Sequence, residues 1–251
     1  MLNIQVIIQA RLSSTRMPKK VLTPFYNHDS ILDIQLKAFK KNSNFPLLIA
    51  TTNQPADDKI EDFAKQHQVG LFRGSEVDVL SRFIEASDAD FIVRICSDNP
   101  FMQLGSINEF LKAMSSETDY ISYADAEGTP AIRTHWGLYP EIVSRKALVK
   151  AHEETEKLEN GTFYREHVTN YIYGNPEKFY VKLLPAPEII KNRKDLRFTI
   201  DTPEDFENMQ KLYEIIQNNG GDFSLDNLVR TADEHEEIKA VMGEGIAKFS
   251  K

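Results

Sequence analysis

The sequence lacks most features that would place it outside ordinary globular enzymes. It contains one cysteine, Cys96, which excludes an internal disulfide framework and suits a reducing compartment. The N-terminal apolar run is too short, and too soon followed by charge, for a signal peptide or a membrane span. The six histidines show no zinc-type spacing with one another or with Cys96, and we assign Cys96 to the core of a strand. We therefore expect a cytoplasmic protein without a zinc site.

Positive charge is also scarce. The chain has 30 Lys and Arg against 38 Asp and Glu, and its formal net charge of −8 argues against a broad nucleic-acid-binding surface. A small anionic substrate needs only a local basic pocket, so the overall charge leaves that option open. The 41% hydrophobic content of 251 residues is enough for one large domain, and we expect residues 1–251 to form it.

The first half of the chain alternates short Val- and Ile-rich runs with amphipathic segments. Such runs are typical of strands covered on both faces, and their alternation with helices predicts right-handed βαβ crossovers. The predicted strands are 4–9, 46–51, 70–73 and 90–96, and the predicted helices are 31–41, 56–67, 77–87 and 104–114. The predicted fold class is therefore α/β, with a mainly parallel sheet and helices on both faces.

The second half is less regular. The predicted strands are 119–123, 178–184 and 196–200, and residues 131–139 are predicted as a strand or a bulged ribbon. The predicted helices are 144–156, 163–173 and 203–218. Thr202 followed by Pro203 gives the last helix a clear start, with a threonine cap and a proline at the first helical position. We expect residues 119–184 to form a small irregular subdomain over the sheet edge and residues 222–251 to form a helical tail.

The strongest local feature is a basic loop after the first strand. Arg11, Arg16, Lys19 and Lys20 fall within ten residues and are interleaved with hydroxyl side chains at positions 13–15. Ligands of open α/β sheets bind beyond the carboxyl ends of the strands, and a loop of cations, hydroxyls and backbone N–H groups suits a triphosphate. The loop contains no glycine, so it is neither a Walker A loop nor a dinucleotide-binding loop. A basic loop that merely solvates the sheet edge explains the same charges equally well.

Two acids are predicted at strand ends on the same edge of the sheet. Asp98 follows the strand at 90–96, and Asp201 follows the strand at 196–200. Both are candidate Mg²⁺ ligands, since Mg²⁺ sites use one or two carboxylates together with substrate phosphates. Alternatively, Asp98 turns the chain, and Asp201 favours the helix dipole that follows it. Because Thr202 already supplies the helix cap, a functional role is favoured for Asp201.

Further polar positions have structural explanations that are at least as good. Arg73 ends a short strand, where Ser75 as a helix cap accounts for the local sequence. Glu166 and His167 lie on a predicted helix, for which a structural or partner-facing role is the commoner explanation. Trp136 lines a pocket or, more commonly, packs in the core.

Taken in order, these segments resemble the cytidylyltransferases that make CMP-activated sugars, and more narrowly the spore-coat polysaccharide biosynthesis type. The matching segments are 8–22, 50–52 with 57–60, 72–82, 93–101, 165–168 and 196–205, which span nearly the whole chain. Acylneuraminate and 3-deoxy-manno-octulosonate cytidylyltransferases are related families. The resemblance implies a fold of the nucleotide-diphospho-sugar transferase kind. It also implies transfer of CMP from CTP to a sugar or sugar-acid hydroxyl, with release of pyrophosphate, in surface-polysaccharide or glycan-precursor synthesis.

Carried over residue by residue, the resemblance implies that Arg11 and Lys20 contact the triphosphate and the leaving group, and that Asp98 and Asp201 hold Mg²⁺. The nucleotide-binding set that it implies is Ala10, Arg11, Ser14, Arg16, Lys20 and Arg73. The candidates for the acceptor pocket, which residues 119–184 are expected to shape, are His135, Trp136, Arg165, Glu166 and His167. Related cytidylyltransferases also imply a homodimer.

The chain departs from the family at three positions. Glycine is usual where this sequence has Ser13, Lys19 and Ser97, so we expect the geometry of the loop to differ in detail. Two other functions stay open from the sequence, namely a glycosyltransferase that uses a nucleotide-sugar and a catalytically idle nucleotide-binding subunit. The acids at both predicted strand ends argue against the idle subunit.

Overall fold

The computed structural model describes residues 2–249, so Met1 and the last two residues of the expected helical tail lie outside the described part. The strands, in chain order, are β1 Ile4–Gln9, β2 Pro24–Tyr26, β3 Asp29–Ser30, β4 Leu47–Thr52, β5 Gly70–Gly74, β6 Phe91–Cys96, β7 Tyr120–Ala124, β8 Glu141–Ser144 and β9 Val181–Pro185. The helices are α1 Ile31–Asn42, α2 Asp58–His67, α3 Val79–Ala86, α4 Ser106–Ala113, α5 Arg145–Thr155, α6 Gly161–Glu166, α7 Asn170–Tyr173, α8 Pro203–Asn218, α9 Leu225–Glu234 and α10 Glu236–Lys248. Among the described residues, no helix is both long and apolar enough to cross a membrane.

One sheet of seven strands organises the molecule, in the order β5-β4-β1-β6-β8-β7-β9. β5, β4, β1 and β6 pair in parallel, whereas β8 runs antiparallel to both β6 and β7. β9 pairs in parallel with β7, and β2 and β3 form a separate short antiparallel pair. The predicted α/β class with a mainly parallel sheet is confirmed.

The position of β1 sets the location of the site. β1 lies between β4 and β6, and Gln9 at its end pairs with Ala50 on one side and with Cys96 on the other. The loops that follow β1 and β6 therefore leave the sheet side by side at one edge. In the main sheet, the chain passes from β1 first to β4 on one side of it and later to β6 on the other side. In α/β sheets, a crevice that binds ligands opens where the strand order reverses in this way.

Helices cover both faces of the sheet because successive strand residues point to opposite sides. In β1, Val6 and Ile8 belong to the larger core, which includes Leu212 of α8. Ile7 belongs to the smaller core on the other face, together with Phe83 of α3. All five side chains are fully buried. Burying a side chain of this size stabilises the fold by about 1.5–3 kcal/mol.

The helix predicted at 203–218 is confirmed at both ends. The hydroxyl of Thr202 accepts the N–H of Asp205, the carboxylate of Asp205 accepts the N–H of Thr202, and Pro203 occupies the first helical position. Asp201 is therefore held immediately before a fixed helix start.

Residues 119–184, which the sequence predicts to form a small irregular subdomain over the sheet edge, add three strands to the main sheet. β8 inserts between β6 and β7, so that Ile142 pairs with Val93 on one side and with Ile121 on the other. These side chains are buried in the larger core. Because it shares this core, the segment is part of the sheet and not an appendage to it.

Two strand predictions in the second half are wrong. Residues 131–139 contain a short 3₁₀ turn, Ala131–Arg133, followed by an irregular segment, because Gly137 adopts a φ of 60° and Pro140 has no N–H to donate. Residues 196–200 are extended and buried, but they bond to loops instead of a sheet. The N–H of Phe198 donates to the carbonyl of His135, and the N–H of Ile200 donates to the carbonyl of Asp98.

The helix predicted at 163–173 is divided in two. α6 ends at Glu166 and α7 begins at Asn170, because Val168 between them adopts a φ of 47° in the left-handed region. This conformation is costly for a β-branched residue, and Val168 is held in it by complete burial.

Candidate active site

The β1 loop, residues 10–20, is held by hydrogen bonds near both of its ends. The N–H of Lys19 donates to the carbonyl of Leu12 with an N···O distance of 3.0 Å, and the N–H of Leu12 donates to Oδ1 of Asp57 at 2.7 Å. Asp57 is fully buried and also accepts from the N–H and the hydroxyl of Thr52. The loop therefore has a fixed start and a fixed end.

Lys19, one of the departures from the family, has a left-handed backbone with a φ of 63°. Glycine adopts this conformation freely, whereas another L-residue pays roughly 1–2 kcal/mol. The side chain of Lys19 is exposed, so it meets no steric obstacle. Position 19 thus has the conformation for which glycine is suited, although it is occupied by a lysine.

Lys20 connects the β1 loop to both predicted acids. It is buried, and its Nζ lies 3.3 Å from Oδ2 of Asp98 and donates to the carbonyl oxygen of Ile200. The N–H of Ile200 in turn donates to the carbonyl of Asp98 at 3.1 Å. The segments that end in Asp98 and Asp201 are therefore adjacent, with a lysine between them.

Asp201 is held by two guanidinium groups. Nη2 of Arg16 lies 2.5 Å from Oδ1, and Nη2 of Arg197 lies 2.8 Å from Oδ2. Burial alone raises the pKa of Asp201, but attraction to Lys20, the hydrogen bond from Arg197 and attraction to Arg16 outweigh burial, so the pKa lies below its usual value. Asp201 is therefore a carboxylate at neutral pH.

A cavity of about 430 Å³, the first cavity, opens above the ends of β1 and β6. It is large enough for a small-molecule ligand. The predicted residues that line it are Arg11, Ser14, Arg16, Lys20, Asp98, Glu166, His167 and Asp201. Most of the predicted site is thus brought to one cleft.

A second cavity of about 450 Å³ adjoins the first. The residues that line both are Arg16, Cys96, Asp98 and Asp201. Cys96, which the sequence assigns to the core, is half-buried and stands at this boundary. The two predicted acids therefore lie where the cavities meet.

Two buried polar atoms on the wall of the second cavity have no hydrogen-bond partner within residues 2–249. They are Oδ1 of Asn99 and the hydroxyl of Tyr139. A Cβ at Gly137 would lie 2.6 Å from Oδ1 of Asn99, so any side chain at position 137 would obstruct this atom. Buried polar groups are nearly always paired, and these two are therefore suited to a polar ligand.

An ion pair that was not predicted from the sequence reaches the first cavity through Arg94, one of the residues that line it. Arg94 donates from Nη1 to Oε1 of Glu141 at 2.6 Å and from Nε and Nη2 to Oε1 of Gln9. Glu141 also accepts from the hydroxyls of Tyr120 and Thr169. The signal for this pair was the presence of a charged residue inside an otherwise apolar strand, since a buried charge requires a partner.

The turn between α6 and α7 forms another wall of the first cavity, through Glu166 and His167. Burial lowers the pKa of His167; attraction to Glu166 opposes this shift, and repulsion from Arg94 and Arg133 adds to it. His167 is therefore a neutral imidazole at pH 7.

Several predicted residues lie away from both cavity walls. Nη1 of Arg73 contacts Asp58 and Glu61 at 2.7 and 2.8 Å, so its guanidinium is tied to α2. Arg165 lies 3.7 Å from Asp78, and the N–H of Ala10 bonds to the carbonyl of Ala50.

His135 and Trp136 also serve structural contacts. Nδ1 of His135 lies 2.8 Å from Nη1 of Arg197, and Nε1 of the buried Trp136 donates to the carbonyl of Arg193. Their neighbours Gly137, Leu138 and Tyr139, by contrast, line the second cavity. The second cavity is therefore lined by the residues that follow His135 and Trp136 in the chain, and not by these two side chains.

The two acids at the boundary fit a Mg²⁺ ion that arrives with phosphate ligands. Within residues 2–249, no group of three or more His, Cys, Asp and Glu side chains is arranged to hold a metal ion by itself. One or two carboxylates are what Mg²⁺ uses when substrate phosphates complete its coordination. Asp98 and Asp201 supply such oxygen ligands next to the cations of the β1 loop.

Comparison with known proteins identifies similar sequences and a similar solved structure. The family model described as cytidylyltransferase matches residues 5–231. The chain is 35% identical over 221 residues to the spore coat polysaccharide biosynthesis protein SpsF of Bacillus subtilis, covering 84% of this chain and 87% of that protein. It is 34% identical over 243 residues to an uncharacterized protein of Methanocaldococcus jannaschii, covering 94% and 92%. A solved cytidylyltransferase structure from Leptospira borgpetersenii superposes with a TM-score of 0.81 at 27% identity, covering 95% and 97%.

Proposed function

Because the chain belongs to the cytidylyltransferase family, we propose that it transfers CMP from CTP to a hydroxyl of a sugar or sugar acid and releases pyrophosphate. The resemblance found in the sequence is confirmed at the level of the family. The observation that carries the proposal is the position of Asp98 and Asp201, each paired with a cation of the β1 loop at the boundary of two cavities.

The first cavity is the proposed CTP site. Arg11, Ser14, Arg16 and Lys20 line it and supply cations and a hydroxyl from a single loop, which suits a triphosphate. Lys20 is already buried against the acids, so it is positioned near the charge that develops on the pyrophosphate as it leaves.

Asp98 and Asp201 would hold Mg²⁺ between the cavities, where the ion would neutralise charge on the phosphate oxygens. Lys20 and Arg16 balance these carboxylates when no other cation is near. When a bound Mg²⁺ ion neutralises the carboxylates instead, the side chains of Lys20 and Arg16 would be free to pair with phosphate. This exchange keeps the charge of the cleft balanced with and without substrate.

The second cavity is the proposed acceptor site. Oδ1 of Asn99 can accept a hydrogen bond from a polar ligand there, and the hydroxyl of Tyr139 can form another. An acceptor hydroxyl there forms a bond to the α-phosphorus, the bond from phosphorus to the bridging oxygen breaks, and the hydroxyl proton is lost to water. Positioning and electrostatics supply the catalysis, and no protein nucleophile is required.

The biological context that we propose is surface-polysaccharide or glycan-precursor synthesis. It is supported by the similarity to the Bacillus subtilis spore coat polysaccharide biosynthesis protein. The cytoplasmic location and the homodimer that are expected from the sequence stay predictions. Light scattering, which measures the mass of the particle in solution, tests the homodimer.

Replacement of one proposed metal ligand tests the function. Asp98→Asn should lower the rate of pyrophosphate release from CTP at least about 100-fold in the presence of a productive sugar or sugar acid, because it removes charge at the reacting phosphate. Asp88→Asn is the matched control, since Asp88 is fully exposed at 102% and outside both cavity walls. A panel of sugars and sugar acids is needed to find the acceptor.

Two outcomes would contradict the proposal. If Asp98→Asn turns over like the control, Asp98 takes no part in the reaction. If CTP is inert with the whole panel while a nucleotide-sugar is consumed, the protein is a glycosyltransferase.

A further inference from the structure

The C-terminal helix α10 brings a side chain into the cleft from outside the family match, which ends at residue 231. α10 packs against α8 and α9. Phe249 follows its last turn and lines the second cavity together with Lys248. The cleft thus contains a part that lies outside the residues matched by the family model.

Gly245 lets α10 rest directly on a buried arginine of the site. A Cβ at position 245 would lie 2.8 Å from Nε and 2.9 Å from Cδ of Arg197. Arg197 is itself fixed by Asp205, with Nη2 and Oδ2 3.0 Å apart. The end of α10 is therefore docked on a rigid ion pair.

The ring of Phe249 lies near two guanidinium groups. The Cζ atom of Arg16 is 4.8 Å from the ring centroid, and that of Arg197 is 5.4 Å from it. Both distances are within the range of cation–π attraction. The same two arginines hold the two oxygens of Asp201, so the ring touches both partners of this carboxylate.

Arg16 is the member of this group that most needs a fixed position. Its side chain is 52% exposed, whereas the side chain of Arg197 is 1% exposed. A long exposed side chain loses rotamer freedom when it binds a ligand, unless another contact already orders it. The ring of Phe249 is such a contact, and cation–π attraction does not require the charge of Asp201.

We propose that Phe249 is a positioning residue that holds Arg16 at the boundary of the two cavities, ready to bind the triphosphate. The inference rests on the proposed function, because it assumes that Arg16 binds CTP. Phe249 acts through Arg16, and the aromatic face of its ring matters more than its volume.

Kinetic measurements on the full chain separate these properties. Phe249→Leu removes the aromatic face and should raise KM for Mg·CTP about 2- to 30-fold with little change in kcat. Phe249→Trp retains an aromatic face and should keep KM within about threefold of the wild-type value. Phe45→Leu makes the same change at a half-buried phenylalanine outside both cavity walls and should leave KM unchanged.

A double-mutant cycle with Arg16→Gln distinguishes positioning from simple packing. Phe249→Leu should change KM by less than about twofold when Arg16 is already absent, because the contact that it removes no longer exists. If Phe249→Leu raises KM equally in both backgrounds, or if Phe249→Trp fails to keep it near the wild-type value, the inference is overturned.

Urea unfolding without nucleotide separates failure of this inference from failure of the proposed function. Phe249→Leu should lower the unfolding midpoint more in the wild type than in Arg16→Gln, whatever the protein binds. Equal losses would overturn the contact itself. If the variants show this coupling but the wild type binds no CTP, the proposed function is overturned instead, and with it the role assigned to Arg16.

Discussion

Single side chains organise the cleft by pairing each acid with a cation from another part of the chain. Lys20 pairs with Asp98, and Arg94 pairs with Glu141, which lies 47 positions away. Buried charges are costly unless they are paired and hydrogen-bonded, so these contacts fix the positions of the chain segments that carry them.

His167 gives the cleft a dependence on pH. Its pKa is lowered by burial, so the unfolded chain takes up a proton near the ordinary value of 6.5 before the folded protein does. The free energy of unfolding should therefore fall as the pH drops below about 6.5, until His167 titrates in the folded state. His167→Gln should reduce this loss, as measured by urea unfolding at about pH 7.5 and about pH 5.5.

The exposed His28 offers a control for this measurement. His28→Gln should leave the loss of stability on acidification as it is in the wild type. If His167→Gln behaves in the same way as His28→Gln, the imidazole of His167 is not protected from protonation.

The sequence indicated which residues line the cleft where they belong to one local segment, and not where their position depends on distant contacts. The cations of the β1 loop follow directly from a basic segment after a strand, and Asp98 follows from an acid after an apolar run. Arg73 looks equally favourable in sequence, but α2 supplies two carboxylates that hold it elsewhere. Nothing in the local sequence of Tyr139 or Phe249 indicates that the folded chain brings them to the same cavity.

At the level of elements, the β1 loop depends on the connection between β4 and α2. Asp57 in that connection fixes the start of the loop through the N–H of Leu12. A loop without glycine has limited backbone freedom, so an external anchor is an economical way to hold it open for a ligand. The extended segment 196–200 has a similar role for Asp201, because its N–H groups bond to the loops on which the site is built.

Removal of this anchor should affect stability and binding together. Asp57→Ala leaves the buried N–H groups of Leu12 and Thr52 without their acceptor and should cost about 2–4 kcal/mol of the free energy of unfolding. It should also weaken CTP binding, because the start of the β1 loop loses the hydrogen bond that fixes its position. Urea unfolding and calorimetry measure the two effects.

Asp58→Ala is the matched control for Asp57→Ala. Asp58 is the next residue along the chain, is 64% exposed and pairs with Arg73 outside the cleft. It should change the free energy of unfolding by less than about 1 kcal/mol. Equal effects of the two variants would show that Asp57 does not anchor the loop.

At the level of the whole molecule, sheet order brings distant segments to one edge. The class of the sheet was predictable from the alternation of strands and helices. The insertion of the antiparallel β8 was not, because residues 119–184 have no regular pattern and their strands are specified by burial against β6. With β8 in place, the segment 131–139 lies beside the acids and forms a wall of the second cavity.

The proposed function requires one cleft that prefers CTP and needs both acids for Mg²⁺-dependent binding. Thermal unfolding in the presence of CTP, UTP, ATP and GTP, each with and without Mg²⁺, tests this most directly. A ligand at about 100 times its Kd stabilises a protein by about 2.7 kcal/mol, which corresponds to a rise in Tm of roughly 5–10 °C for a chain of this size. We expect this rise in Tm with Mg·CTP and little rise with the other three nucleotides. In Asp98→Asn and Asp201→Asn, adding Mg²⁺ should not increase the rise in Tm that CTP causes. An equal response to all four nucleotides, or no response to any, would contradict the proposed function.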